Sequence, residues 1–205
     1  DPVHFDEWKT VITTPNISAE KATVQIKSLI KNETDLPQSI TVSSLVRNKE
    51  DKAEGSNEIK IEIPADSTKE IVQILTVNEP SLWTPETPNL YMVEMKISNG
   101  SEMTDVIKHT FGIRSLKFSA ENGFELNGKT VQLNGGCVHH DNGCLGAAAY
   151  DRAEVRKVEL LKSAGFNAVR TSHNPPSEAF LNACDSLGLM VIDESFDCWR
   201  TAKNT

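Results

Sequence analysis

The chain has 205 residues, 38% of them hydrophobic, enough for one large domain or two ordinary ones. Its 21 basic and 29 acidic residues leave a net charge of −8, which argues against a nucleic-acid partner, because phosphate binding needs clustered Lys and Arg. No run approaches the roughly 18 apolar residues of a membrane span, and the opening DPVHFDEWK has neither a Met nor an apolar signal segment, so the chain reads as a piece of something longer.

Residues 1–113 alternate with period 2. KATVQIKSLIK places Ala22, Val24, Ile26 and Leu29 at strand-like intervals, and QSITVSSLVRN, EIKIEIP, EIVQILTV and YMVEMKI repeat the pattern. Short strands between turn-rich segments predict an antiparallel β-sandwich of roughly seven strands. No cysteine falls in this half, so packing has to hold the sheets together. The Pro-rich NEPSLWTPETPNLY cannot join a central ladder and reads as a long connection. Within it, Trp83 is expected to plug one end of the sandwich.

After residue 113 the pattern changes. FELNGKTVQL carries Asn127-Gly128 between two β runs, the signature of a tight hairpin. Asp151 then opens DRAEVRKVELLKSAGF, with Glu154 three residues on as in a capping box. Val155, Val158, Leu161 and Ala164 recur at helical spacing up to Gly165. A buried strand is expected over 166–172. A second helix starts near Ser177, with Phe180, Leu181, Cys184 and Leu187 inward, and closes at Gly188. LMVID (189–193) is another apolar strand.

Apolar strands joined by helices predict a parallel sheet. Three strands are too few to close a barrel. The order fits the first three strands of a truncated (β/α)8 barrel over 114–205 better than a small open sheet, and the apolar Met190 and Val191 support that choice. Uncovered apolar faces of a cut barrel would invite self-association, so a homo-oligomer is an expectation.

In parallel α/β architectures function gathers at the carboxyl ends of strands. Three such ends carry polar groups: His139, His140 and Asp141; Arg170, Ser172, His173 and Asn174; and Asp193, Glu194, Asp197 and Trp199. Side by side they describe a polar pocket, with Arg170 also a candidate ion-pair partner for Asp193 or Glu194, and Asp193 read as bonded within the sheet end. Cys137, Cys144, Cys184 and Cys198 are read as free thiols. A zinc site from Cys137, His139, His140 and Cys144 would lack a paired C-x-x-C or H-x-x-x-H spacing. There is no G-x-G-x-x-G, Walker or G-x-S-x-G motif to suggest a nucleotide or an esterase.

FGIRSLKF, FELNGKTVQLNGGCVHHDNGCLGAA, FNAVRTSHNPP and MVIDESFDCW together resemble glycoside hydrolase family 2, with HHDNGCLGAA and DESFDCW most similar to its bacterial β-galactosidase branch. The resemblance implies an immunoglobulin-like β-sandwich over 1–113 and the start of the catalytic barrel over 114–205. It implies a retaining glycosidase acting on a carbohydrate, a β-galactoside, with β-glucuronidase or β-mannosidase activity, or a non-catalytic carbohydrate-binding module, as alternatives. By the same resemblance His140, Arg170 and His173 bind substrate or support the nucleophile, Asp141 and Asn174 assist, and Trp199 stacks on a sugar or packs. Asp193 and Glu194 give structural support. The catalytic glutamates are expected beyond Thr205, so the chain alone is expected to be inactive. SFDCWR lacks the histidine of the family's magnesium site, and no metal or other cofactor is expected. A periplasmic or secreted location is the family's implication.

Overall fold

The computed structural model describes residues 1–195; the expectations at Asp197, Cys198 and Trp199 lie outside them. Two compact units are present. Asp1–Leu82 with Asn89–Leu116 form the first, and Trp83–Pro88 with residues 117–195 form the second.

The first unit is a β-sandwich. One sheet has the order β1 (Val3–Ile17), β2 (Lys21–Asn32), β5 (Ser67–Asn78); the other has the order β4 (Ala53–Ile63), β3 (Gln38–Arg47), β6 (Tyr91–Asn99), β7 (Glu102–Phe111). Every pairing is antiparallel. The period-2 pattern sends alternate side chains inward, so Val24 and Ile26 of β2 share a core with Val42, Leu75, Val93 and Met95. On β2 the inward series continues through Ser28 and Ile30, and Leu29 lies half-buried on the other face. The expected inward place of Leu29 is thus corrected: strand parity outranks side-chain hydrophobicity. The core also holds a polar pair between the sheets. Ser44 Oγ donates to Gln73 Oε1 at 2.7 Å, and Gln73 Nε2 donates to the Val42 carbonyl at 3.2 Å. Both side chains are buried, and being bonded they avoid the penalty of unsatisfied polar groups.

On the same sandwich Glu94 accepts from Lys96 at 2.5 Å and from Lys108, its cross-strand partner, at 3.0 Å. These two bonds hold its carboxyl down at about 2. A carboxylate with a depressed native pKa stabilises the fold fully above its unfolded value, and that stability is lost as pH falls through the native value. Glu94→Gln is therefore expected to flatten the pH dependence of sandwich stability between about 4.5 and 2. At neutral pH it should change stability by only about 0.2–1 kcal/mol, as for solvent-screened pairs. Urea midpoints measured across that window check the expectation; an unchanged acid slope would refute it.

The second unit opens with a small sheet of order β10 (Lys129–Thr130), β9 (Gly123–Leu126), β8 (Leu116–Ser119). Its hairpin turns at Asn127 and Gly128, whose φ values of 52° and 74° suit a type I′ turn. Then β11 (Gly135–Val138), β12 (Ala168–Thr171) and β13 (Met190–Ile192) pair in parallel, in that order. Gly135 is needed where β11 meets β12: a Cβ there would lie 1.7 Å from the Ala168 carbonyl oxygen.

Helices α1 (Asp151–Ser163) and α2 (Glu178–Leu187) cover one face. Val158 of α1 and Phe180, Ala183 and Cys184 of α2 pack on Val169 and Leu189, with Val138 and Val191 beside them. The opposite face is open, and Leu133, Cys137, Arg170 and Ile192 border a hollow there. Its apolar exposure falls on Leu133 and Ile192, 38% and 52% exposed, whereas Met190 is buried. No closed barrel exists among the described residues; the three parallel strands are the opening of one.

Helix ends follow their local chemistry. Gly165 (φ 87°) ends α1, with its N–H on the Lys162 carbonyl and the Phe166 N–H on that of Leu161, a Schellman arrangement. Ala164, expected inward, is exposed there. Ser177 Oγ caps α2 by accepting from the Phe180 N–H. The expected Asp151–Glu154 capping box does not form. Tyr150 occupies the cap position of α1 without a side-chain bond, Asp151 is already in the first turn, and Glu154 is buried.

Trp83 also departs from expectation. It belongs to the second unit, is 1% exposed, and its indole N–H donates to the Asp185 carbonyl of α2 at 2.8 Å. Lys162 adds bonds from its ammonium group to the carbonyls of Pro85 (3.0 Å) and Gly188 (2.8 Å). The sandwich plug follows from the neighbouring residues in sequence being strands; the indole instead donates to a carbonyl in the last turn of α2.

Candidate active site

The carboxyl ends of β11, β12 and β13 carry the polar groups. Parallel register places Cys137 beside Arg170 and Arg170 beside Ile192, so the residues just past Ile192 reach the end of β12. Glu194 is the hub. Its Oε1 accepts from Arg170 Nε at 2.6 Å and pairs with Nη2 of the same guanidinium, while its Oε2 lies 3.2 Å from His173 Nδ1. Asp193 Oδ1 accepts from the Thr171 hydroxyl at 3.0 Å, and the same hydroxyl oxygen accepts from the Glu194 N–H at 3.3 Å.

Burial alone would raise the Glu194 carboxyl, but the Arg170 hydrogen bond and charge, with His173 behind them, hold it below the usual carboxylate value. The network is therefore charged at neutral pH. Its contribution is complete above the ordinary glutamate range and fails as pH falls through the depressed value. Arg170 also donates from Nη1 to Cys137 Sγ at 3.3 Å. The Ser172 hydroxyl and then the Arg170 guanidinium lower the pKa of that exposed thiol, whereas burial pushes the Cys184 thiol up to about 12.

His139 reaches the cluster from β11, its ring edge-on to His173 with centroids 5.8 Å apart. His140 and Asn174 border a separate hollow with His139, Glu154, Lys157 and Ser172. Asp141 is exposed, its N–H bonded to the His139 carbonyl. Of the residues singled out from sequence, Arg170, His173 and Glu194 thus share one hydrogen-bonded network. Asp193 stands one bond away through Thr171, while His140 and Asn174 border the separate hollow and are not bonded into the network. Cys137 and Thr171 went unnoticed as members. Only the strand register, with Cys137 opposite Arg170, could have drawn attention to the first. Cys137, Cys144 and Cys184 are free thiols, and among the described residues no group of three or more His, Cys, Asp or Glu side chains is placed to hold a metal ion. Nor, among those residues, is any helix long and apolar enough to cross a membrane.

Comparison with known proteins bears on both units. The family model for glycosyl hydrolases family 2 matches residues 3–114, and the model for that family's TIM barrel domain matches residues 119–199. A β-galactosidase of Bacteroides ovatus is 39% identical over 204 residues, which is 98% of this chain and 24% of the relative. The crystal structure of a family 2 member from Bacteroides cellulosilyticus superposes with a TM-score of 0.96 at 45% identity, covering 100% of this chain and 26% of that one. A Bacteroides uniformis β-glucuronidase superposes with a TM-score of 0.88 at 31% identity, covering 96% of this chain and 24% of that one. The chain spans about a quarter of the length of these relatives. With one model on the sandwich and another on the strands that carry Arg170 and Glu194, the chain belongs to glycosyl hydrolase family 2, as an immunoglobulin-like domain followed by the opening of the TIM barrel.

Proposed function

We propose that the full-length protein hydrolyses terminal β-galactosides with retention of configuration, and that these 205 residues supply part of the floor of its sugar pocket. The observation that carries the reading is the Arg170–Glu194–His173 network at adjacent strand ends, the place where parallel barrels assemble active sites. The β-galactosidase relative at 39% identity supports the choice of sugar. A β-glucuronide is the second reading, favoured by the superposition on the Bacteroides uniformis β-glucuronidase.

In this mechanism an ionised carboxylate attacks the anomeric carbon and a protonated one releases the aglycone, the two standing about 5–5.5 Å apart. Both belong to chain beyond Thr205, so the 205-residue chain alone turns over no glycoside. The residues present hold and orient. Glu194, its pKa lowered by Arg170, fixes the His173 ring through Nδ1, so that Nε2 is the nitrogen that meets a sugar hydroxyl. Arg170 presents its cation toward the nucleophilic carboxylate. His140, with Asp141 and Asn174 beside it, forms the wall on the β11 side.

The test is turnover by the full-length protein of an aryl β-galactoside against the matching β-glucuronide and β-mannoside. Galactoside is expected to give the highest kcat/KM. Preference for the glucuronide would move the substrate and keep the floor, and no turnover of any of them would refute the enzymatic reading.

A further inference from the structure

Glu154 is a charged side chain of α1, 2% exposed, for which neither helix capping nor the apolar core has a use. Its Oε1 accepts from Asn142 Nδ2 at 2.8 Å and lies 3.5 Å from Lys157 Nζ, one turn along the helix. Lys157 Nζ in turn donates to the His139 carbonyl at 3.4 Å. Asn142 is itself the root of a tight turn, its N–H bonded to the Gly146 carbonyl and its carbonyl to the Leu145 N–H. The two bonds from α1 therefore fall on His139 and Asn142, on either side of the dipeptide His140–Asp141.

Burying a carboxyl group costs hydration that an i,i+3 Glu–Lys pair on a water-facing surface would keep. Stabilising α1 does not explain the arrangement, since an apolar residue at this position would pack with Val158 and Phe180 without any penalty. What the buried charge adds is a defined position for a glycine-containing loop that has no sheet or helix partner of its own beyond the short turn Gly143–Leu145. We propose that Glu154, acting through Asn142 and Lys157, is a positioning residue that sets where His140 stands in the pocket. The inference rests on the reading of His140 as part of the sugar site.

The experiment uses the full-length protein with Glu154→Ala, Asn142→Ala and the double variant. Asn142→Ala removes the same bond from the half-buried loop side and leaves α1 packing intact. Two readouts are taken. Hydrogen exchange over residues 139–146 should rise about tenfold in Asn142→Ala, the loss of one charge-assisted bond, and at least as much in Glu154→Ala, which also releases Lys157. It should rise no further in the double variant than in Glu154→Ala, because the Asn142 bond is already cut there. For the preferred aryl β-glycoside, kcat/KM should fall by roughly 10- to 100-fold, as for a group displaced by about an ångström. Glu154→Gln, which keeps the acceptor for Asn142, should restore most of both. Unchanged exchange over 139–146 in Asn142→Ala would overturn the clamp. Faster exchange with kcat/KM unchanged would overturn its role in positioning. A wild-type protein that turns over no glycoside yet shows the same non-additive exchange would remove the sugar reading and leave the clamp standing.

Discussion

Arg170→Met in the full-length protein is expected to lower kcat/KM by about 10²- to 10³-fold, the range for removing a group that stabilises charge in a transition state. Two effects combine. On the proposed function, the cation that would face the nucleophilic carboxylate is lost, and Glu194 loses the partner that lowers its pKa. Arg170→Lys should recover only part of the activity. A lysine is a point charge and cannot reproduce the fork that reaches Glu194 through Nε and Nη2 while Nη1 reaches Cys137. The pH profile separates this from general damage. Without the guanidinium the depressed Glu194 value returns upward, so the acid limb of kcat/KM should move to higher pH in Arg170→Met. Activity within about threefold of wild type, with the acid limb unmoved, would show that Arg170 is an ion-pair partner and nothing more.

Much of this network was legible in the sequence, and the reason is physical. Polar residues ending an apolar run, as in FNAVRTSHNPP, have few stable places except a strand end. Which groups meet there was not legible. Arg170 had two candidate acids, Asp193 and Glu194, and parallel register chose the second by bringing Ile192 level with Arg170. The same register put Cys137 under the guanidinium, and a single sequence carries no signal for the register of strands more than 30 residues apart. The sandwich was readable for the opposite reason, since period-2 alternation is local and repeats along each strand. Even there parity outranked chemistry, placing Ser28 inward and Leu29 outward. Glu154 shows how a local pattern misleads. Asp151-x-x-Glu154 has the spacing of a capping box, yet the helix starts one residue earlier, and its glutamate turns inward to a loop twelve residues behind it.

The largest expected loss of stability comes from a residue that local sequence assigned to the other domain. Trp83→Ala should destabilise the second unit by about 3–5 kcal/mol, the range for deleting a buried large aromatic. The side chain is almost fully buried; its N–H satisfies a carbonyl in the last turn of α2, and its own carbonyl accepts from Asn127 Nδ2 at 3.0 Å. Around it the fit is close, for a Cβ on Gly188 would lie 2.3 Å from the Pro85 carbonyl oxygen. Trp83→Phe keeps most of the apolar area and removes only the donor, so about 1 kcal/mol is expected from the lost bond, plus a smaller term for the unfilled volume. Hydrogen exchange at the α2 amides measures this directly, because those amides report opening of the unit that contains them. They should exchange about two to four orders of magnitude faster in Trp83→Ala, following the lost stability, and about tenfold faster in Trp83→Phe. Equal rates in the two variants would mean that the indole hydrogen bond, and not the buried ring, is what Trp83 contributes. Acceleration confined to the sandwich strands, with α2 untouched, would restore the plug that the sequence alone suggested.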